Sequence, residues 1–271
     1  MTPTSTQPLR VSALTVYPVK SMAGWPMTAA TVVDTGFHHD REWMVIDAQG
    51  NFVSQRQFPK LALVRPTLLD NALSLDAPGQ PTIQIPILND GERISTEVWS
   101  SPCQTIHQGS EAADWVSAYL GAPCRLVRMD PANKRALSPK YQVSGTEVVG
   151  FADRLPFLLA TEASLADLNG RLTDPVTMSR FRPNVVVTGC KAFAEDTWKR
   201  IKIGPVVFRV QKACDRCEIV TVNQDTGQKG IEPLETLGRY RTQPKGIMFG
   251  QIMIQENQGD IRVGDAVEIL K

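Results

Sequence analysis

Short runs of β-branched, aliphatic and aromatic residues, each ended by a turn signal, recur at close spacing and limit what this chain can fold into. Val11–Val19, Ala30–Asp34, Trp43–Asp47, Leu61–Val64, Ala72–Leu75, Thr82–Ile87 and Ile94–Trp99 read as strands. Ala48-Gln49-Gly50-Asn51 and Leu88-Asn89-Asp90-Gly91 supply turns between them. Runs of this length and spacing favour an antiparallel barrel or sandwich. A helix is expected over Glu111–Leu120, with Ser110 as its N-cap and Gly121 as its stop.

The second half repeats the pattern. Arg125–Met129 opens it, and a polar connector runs from Asp130 to Thr146. Pro156–Ala160 then leads into a helix expected over Glu162–Leu172, with Thr161 as N-cap and Leu165, Leu168 and Leu172 on one face. Further strands are expected at Asn184–Val187, Ile201–Ile203, Val206–Val210, Glu218–Val222, Ile247–Ile254 and Ile261–Leu270, with a short helix near Pro233–Leu237. The fold class is therefore mainly β and barrel-rich with a few helices, in two lobes divided between Leu120 and Gly145.

At 271 residues the chain can bury a substantial core. Lysine plus arginine (29) nearly cancels aspartate plus glutamate (28), which argues against broad nucleic-acid binding but allows a local basic pocket. No segment has the length of apolar sequence that a membrane span needs. Met1–Leu9 is polar and lacks the apolar centre of a secretory signal. The five cysteines, Cys103, Cys124, Cys190, Cys214 and Cys217, are odd in number and mostly scattered, so a disulfide framework is not expected. A cytoplasmic, reducing setting is the expectation.

The strongest chemical signal is Lys212-Ala-Cys-Asp-Arg-Cys217. A zinc site usually needs four N or S ligands, and only one close cysteine pair is present, with all histidines at least a hundred residues earlier. A thioredoxin-type pair wants its first cysteine at a helix N-terminus after a strand, whereas Glu218-Ile-Val-Thr-Val222 reads as strand. The third reading is a thiolate exposed at a strand start, favoured by Lys212 and Arg216 and suited to a transition metal. A pair of inert core cysteines competes on even terms. Basic residues also sit in loop-like contexts: Lys20 with Ser21, Arg41, and Arg182 with Asn184. Arginine suits bidentate phosphate capture and lysine acts as a point charge, although each residue taken alone reads better as a solvated surface charge. His38 and His39 read as turn or surface residues, and His107 as an ordinary strand residue. Nucleotide-binding glycine motifs, H-E-x-x-H and plant-type iron–sulfur spacing are absent.

Several ordered stretches taken together are more specific. Tyr17-Pro-Val-Lys-Ser21, Asp40-Arg-Glu-Trp43 and Gln55-Arg-Gln-Phe-Pro59 resemble the N-terminal β-barrel domain of MOSC (molybdenum cofactor sulfurase C-terminal) proteins. Pro156–Asn169, Phe181-Arg-Pro-Asn184, Ala194-Glu-Asp-Thr-Trp198, Cys214-Asp-Arg-Cys217 and Thr221–Gly227 resemble the MOSC domain itself, as do Glu232–Leu237, Phe249-Gly-Gln251 and Arg262-Val-Gly-Asp265. The resemblance, which extends from Val11 to Leu270, is greatest to the amidoxime reducing components and their bacterial counterparts. It implies a barrel domain over residues 9–125, a MOSC domain over 126–271, and a molybdopterin-type molybdenum cofactor with Cys217 as metal ligand. Lys20, Ser21, Arg41, Arg182 and Asn184 would hold the pterin and its phosphate, with Cys214 in support. No pyridoxal phosphate is expected.

The resemblance also implies reduction of N-hydroxylated substrates, with electrons from a separate ferredoxin-, cytochrome b5- or flavoprotein-like donor, because the ferredoxin-like domain of some bacterial members does not follow Lys271. Three departures bear on substrate choice. Arg154 and Leu155 stand where the mitochondrial relatives carry hydroxyl residues, Asp215 where they carry a serine, and Ile252 where they carry a tyrosine. Arg154 either makes a charge-assisted contact to the cofactor or points to solvent, and Asp215 is a candidate supporting group or proton donor. The alternatives are a non-enzymatic carrier of the cofactor or its sulfur and, third, a thiol–disulfide protein using Cys214 and Cys217.

Overall fold

The computed structural model describes residues 8–142 and 145–271, so the expectation about the N-terminus falls mostly outside the described residues. The protein is mainly β. A nine-stranded sheet runs in the order Trp25–Met27, Arg10–Val16, Val185–Thr188, Phe157–Thr161, Gly246–Gln255, Val206–Arg216, Arg200–Ile203 and Val267–Ile269, with Thr242–Gln243 added on Gly246–Gln255. Ala29–Val33 pairs with both Gly259–Arg262 and Gly36–Phe37 in a smaller sheet. The strands Trp43–Asp47, Cys124–Met129, Ser101–His107 and Arg93–Val98 form a four-stranded sheet, and Arg65–Leu68, Ala72–Ala77 and Gln80–Pro86 a three-stranded one.

Alternation explains these elements. Ala72–Ala77 buries every second side chain, as a strand with one core face must. Phe157–Thr161 is buried on both faces because it is central in its sheet and has a helix, Glu162–Asn169, packed over it. That helix starts as expected, with the Thr161 hydroxyl accepting from the Ser164 amide, but it stops before Leu172. Leu168 is fully buried, with Leu165 and Leu172 packed partly buried beside it. Gly121 ends Ser110–Leu120 in the left-handed conformation (φ 68°), whereas Gly109 takes the N-cap position and Ser110 is already helical. Phe157 centres the main core: Phe37 and Phe208 meet it edge-on at 4.9 and 5.2 Å between ring centroids.

Three strand expectations change. Of Leu61–Val64, the first three residues lie in a 3-10 turn, Pro59–Leu63, with proline in its first turn, and Val64 caps it. Ile261–Leu270 divides into two short strands. Glu218–Val222 is also no strand. Glu218–Thr221 is a 3-10 turn, so Cys217 lies just past a strand end and not at a strand start. The strand before it, expected over Val206–Val210, continues to Arg216, and its pairing with Gly246–Gln255 shifts register twice, between Val210 and Lys212 and between Ala213 and Asp215. Register shifts of this kind re-aim side chains next to functional sites.

The two ends of the chain interleave. Arg10–Val16 pairs antiparallel with Val185–Thr188, and the Val11 amide donates to the Asp265 carbonyl. The stretch after Arg10–Val16 therefore carries Lys20 and Ser21 to the junction between the lobes.

Candidate functional site

At that junction lies a cavity of about 670 Å³. Lys20, Ser21, Arg41, Arg154, Arg182, Asn184, Cys214, Asp215 and Cys217, the residues singled out from sequence, all line it. All four residues of Cys214–Cys217 contribute to the lining: the register shift between Ala213 and Asp215 breaks the alternation at Cys214, and Cys217 lies past the strand end. His38, His39 and His107 are elsewhere, and His39 sits in a turn with φ 66°.

The cavity is strongly basic although the chain is nearly neutral. Lys20, Arg41, Arg56, Arg135, Lys140, Arg154, Arg182 and Arg216 line it, against Asp153 and Asp215. Among the described residues six non-glycine positions have positive φ, and four of them, Ser21, Arg41, Trp99 and Arg182, belong to this lining. A left-handed non-glycine residue costs on the order of 1–3 kcal/mol, which the surrounding packing must offset. Strain concentrated here marks a geometry held for a purpose other than stability.

The contacts that hold it are specific. Arg41 and Arg182 both lie over the ring of the buried Tyr17, their guanidinium carbons 4.6 and 4.3 Å from its centroid. Arg41 pairs with Asp40 and donates to Asn184 Oδ1 at 3.0 Å, and Arg182 donates to the Met22 carbonyl at 2.6 Å. Burial brings Arg182 down to about 10 and pushes the Tyr17 phenol up to about 12, so at neutral pH the first is a cation and the second neutral. Asn184 is already engaged inside the protein: its amide nitrogen donates to the Thr15 carbonyl and Asp40, and its oxygen accepts from Arg41 and the Leu158 amide. It therefore positions Arg41. Lys20 Nζ donates to the Phe151 carbonyl at 2.8 Å and pairs with Asp153. Burial raises the Asp153 carboxyl, but Lys20, the Trp99 side chain and Arg56 overcome that and hold it well below the usual carboxylate range.

Arg154 and Asp215, both departures noted in the sequence, are partners in an ion pair, and Lys212 adds a second contact to Asp215 at 3.1 Å. Burial alone raises the Asp215 carboxyl; the hydrogen bonds from Arg154 and Lys212 reverse this and bring it to about 2. A carboxylate in that condition has no proton to donate near neutral pH. At the same end, Arg56 Nη2 lies 3.1 Å from Cys217 Sγ and Arg216 Nη1 3.2 Å from Cys214 Sγ. Arg216 Nε is buried without a hydrogen-bond partner, an unmet donor in the cavity wall.

The chain matches the family model for the MOSC N-terminal beta barrel domain over residues 8–123 and that for the MOSC domain over residues 146–268. It is 38% identical to mitochondrial amidoxime-reducing component 1 of Mus musculus over 280 residues, covering 96% of this chain and 82% of the relative. The corresponding Homo sapiens protein is 36% identical, with the same 96% and 82% coverage, and component 2 of Rattus norvegicus is 37% identical, with 95% and 82%. The chain belongs to the amidoxime-reducing component family of MOSC proteins.

For a MOSC protein, the chemistry of the lining can be tested against a molybdopterin cofactor. Among the described residues no group of three or more His, Cys, Asp or Glu side chains is placed to hold a metal. Excess positive charge, an unmet arginine donor and two soft sulfurs, those of Cys214 and Cys217, suit an anionic, sulfur-bearing pterin. The residues present fit that group. The sequence alone marks neither Arg56, Trp99, Arg135 nor Asp153 as a site residue, and Arg216 only as a charge favouring the thiolate; Arg56 lies in Gln55-Arg-Gln-Phe-Pro59, but nothing local points to the other three. Among the described residues no helix is long and apolar enough to cross a membrane, and all five cysteines are free.

Proposed function

We propose that this MOSC protein reduces the N–O bond of N-hydroxylated compounds such as amidoximes and hydroxylamines, with a molybdopterin-type molybdenum cofactor seated in the cavity and Cys217 as the metal's protein ligand. One observation carries the reading: residues from motifs scattered between Lys20 and Cys217 converge on one basic cavity in which the sulfurs of Cys217 and Cys214 each lie beside an arginine. Its relatives are named for amidoxime reduction.

When bound, the cofactor supplies two-electron redox chemistry. The chain's own residues do the rest. Cys217 would offer its sulfur to the metal, and Lys20, Ser21, Arg41 and Arg182 would hold the anionic part of the cofactor. The strained backbone at Ser21, Arg41 and Arg182 fixes their direction before any ligand arrives. Asp215, being ionised, serves to aim Arg154 and not to deliver protons. Electrons come from a separate donor protein, and the setting is a reducing cytoplasm.

The test is molybdenum and pterin analysis of wild type and Cys217→Ala from a molybdenum-replete host, beside turnover of a hydroxylamine with an artificial electron donor. Near-stoichiometric metal in wild type, metal loss in Cys217→Ala and multiple turnover support the proposal. Bound cofactor without turnover favours a carrier, and full activity in Cys217→Ala refutes the assignment.

A further inference from the structure

The contact between Arg56 and Cys217 joins the two halves of the chain at the one sulfur the proposed chemistry needs. Arg56 Nη2 lies 3.1 Å from Cys217 Sγ, across 161 positions of sequence. Its approach is fixed from two sides. The neighbouring Gln55 is fully buried, donates to the Ser21 carbonyl at 2.8 Å and exchanges hydrogen bonds with Gln224 at 3.2 and 3.1 Å. That anchors the backbone from which Arg56 extends. The guanidinium carbon of Arg56 then lies 5.0 Å from the centroid of the Trp99 ring.

Trp99 is unusual in its own right. It is 49% exposed, although a large indole normally gains by burial, and it adopts φ 58°, which a bulky residue enters at a cost. Phe52 meets the indole edge-on at 5.5 Å. A strained, half-exposed tryptophan at a cavity mouth is poor design for a core. It is a sound arrangement for holding a planar cation in one plane, because guanidinium stacks on indole where an ammonium only sits near it.

Resting on the reading above, we infer that Arg56, held in place by Trp99, is a positioning residue for the Cys217 sulfur: it fixes where Sγ points and tempers the electron density that Sγ gives to a bound metal. Hydrogen bonds to a ligating sulfur are one of the main means by which a protein sets a metal's potential. A cation beside the sulfur favours the more reduced, more electron-rich centre, so removing it lowers the potential.

The experiment compares holoenzyme carrying Arg56→Met, Arg56→Lys or Trp99→Leu with wild type, by molybdenum content, the paramagnetic resonance spectrum of the Mo(V) state and the midpoint potential. Arg56→Met is expected to shift the resonance and move the midpoint negative. Arg56→Lys restores the midpoint in part, because the charge stays while the fork and the stacking plane are lost. Trp99→Leu, which leaves Arg56 in the chain, broadens the resonance by releasing Arg56 and keeps the reading testable if Arg56→Met does not fold. Metal-loaded variants with wild-type spectrum and potential overturn the inference alone. A wild type that takes up no molybdenum overturns it together with the function on which it rests.

Discussion

Replacing Asp215 by asparagine isolates the worth of one charge at the cavity seam, since the side chain keeps its shape and an acceptor oxygen. The Asp215 carboxyl titrates at about 2 against an ordinary 3.8. At about 1.4 kcal/mol per pH unit, that difference sets a ceiling of roughly 2.5 kcal/mol on what the ionised form contributes to folding. The pair is only partly buried, with side-chain exposures of 42% for Arg154 and 25% for Asp215, so solvent screening brings the figure to about 1 kcal/mol. Because the folded value is depressed, the contribution is complete above the unfolded value and disappears as pH falls through the folded one, with about half gone by pH 3. Asp215→Asn is therefore expected to lower Tm by roughly 2–4 °C at pH 7 for a chain of this size. Urea titrations of both proteins in steps from pH 7 to pH 2 should show the gap closing below pH 4. A gap as wide at pH 2 as at pH 7, or one that opens on acidification, would refute the reasoning.

Lys20→Met leaves the Asp153 carboxylate without its counter-charge and the Phe151 carbonyl without its donor. Asp153 is 46% exposed, so the loss is nearer 2 kcal/mol than the 3–5 typical of a fully buried pair, readable by urea denaturation. Gly250→Ala is expected to cost at least about 2 kcal/mol by the same assay, since that residue has φ 76° and an added Cβ would lie 2.7 Å from the Leu159 carbonyl oxygen. A loss below 0.5 kcal/mol would show that the strand relaxes around the methyl group.

Much of the fold was legible because alternation survives in the sequence: Trp43–Asp47 has the same limits in sequence and structure, Ala72–Leu75 falls within a strand, and Thr82–Ile87 and Ile94–Trp99 each overrun one by a single residue. The misreadings share a cause. Ile219-Val220-Thr221-Val222 has strong strand propensity, yet burying Val220 and Val222 in a turn overrides it. Long-range pairing left no local trace, so nothing around Arg10–Val16 announced Val185–Thr188 as its partner. The cavity was legible only through motifs taken together. Lys20, Arg41 and Arg182 were each ambiguous alone, and Trp99 had no signal, because its importance comes from a strained turn and a neighbour in space.

That interleaving of the chain's ends fixes an order of assembly. The four-stranded sheet and its helix lie between Trp43 and Met129 and can condense as soon as that stretch is made. Arg10–Val16 and Ala29–Val33 have local partners in Trp25–Met27 and Gly36–Phe37, but their second neighbours, Val185–Thr188 and Gly259–Arg262, are made much later. Lys20 and Ser21 sit between those two strands, so the basic cavity is among the last features to take shape. A chain stopped before Gly259–Arg262 would leave Ala29–Val33 without one of its two partners, so loss of residues from either end loosens the strands that flank Lys20 and Ser21.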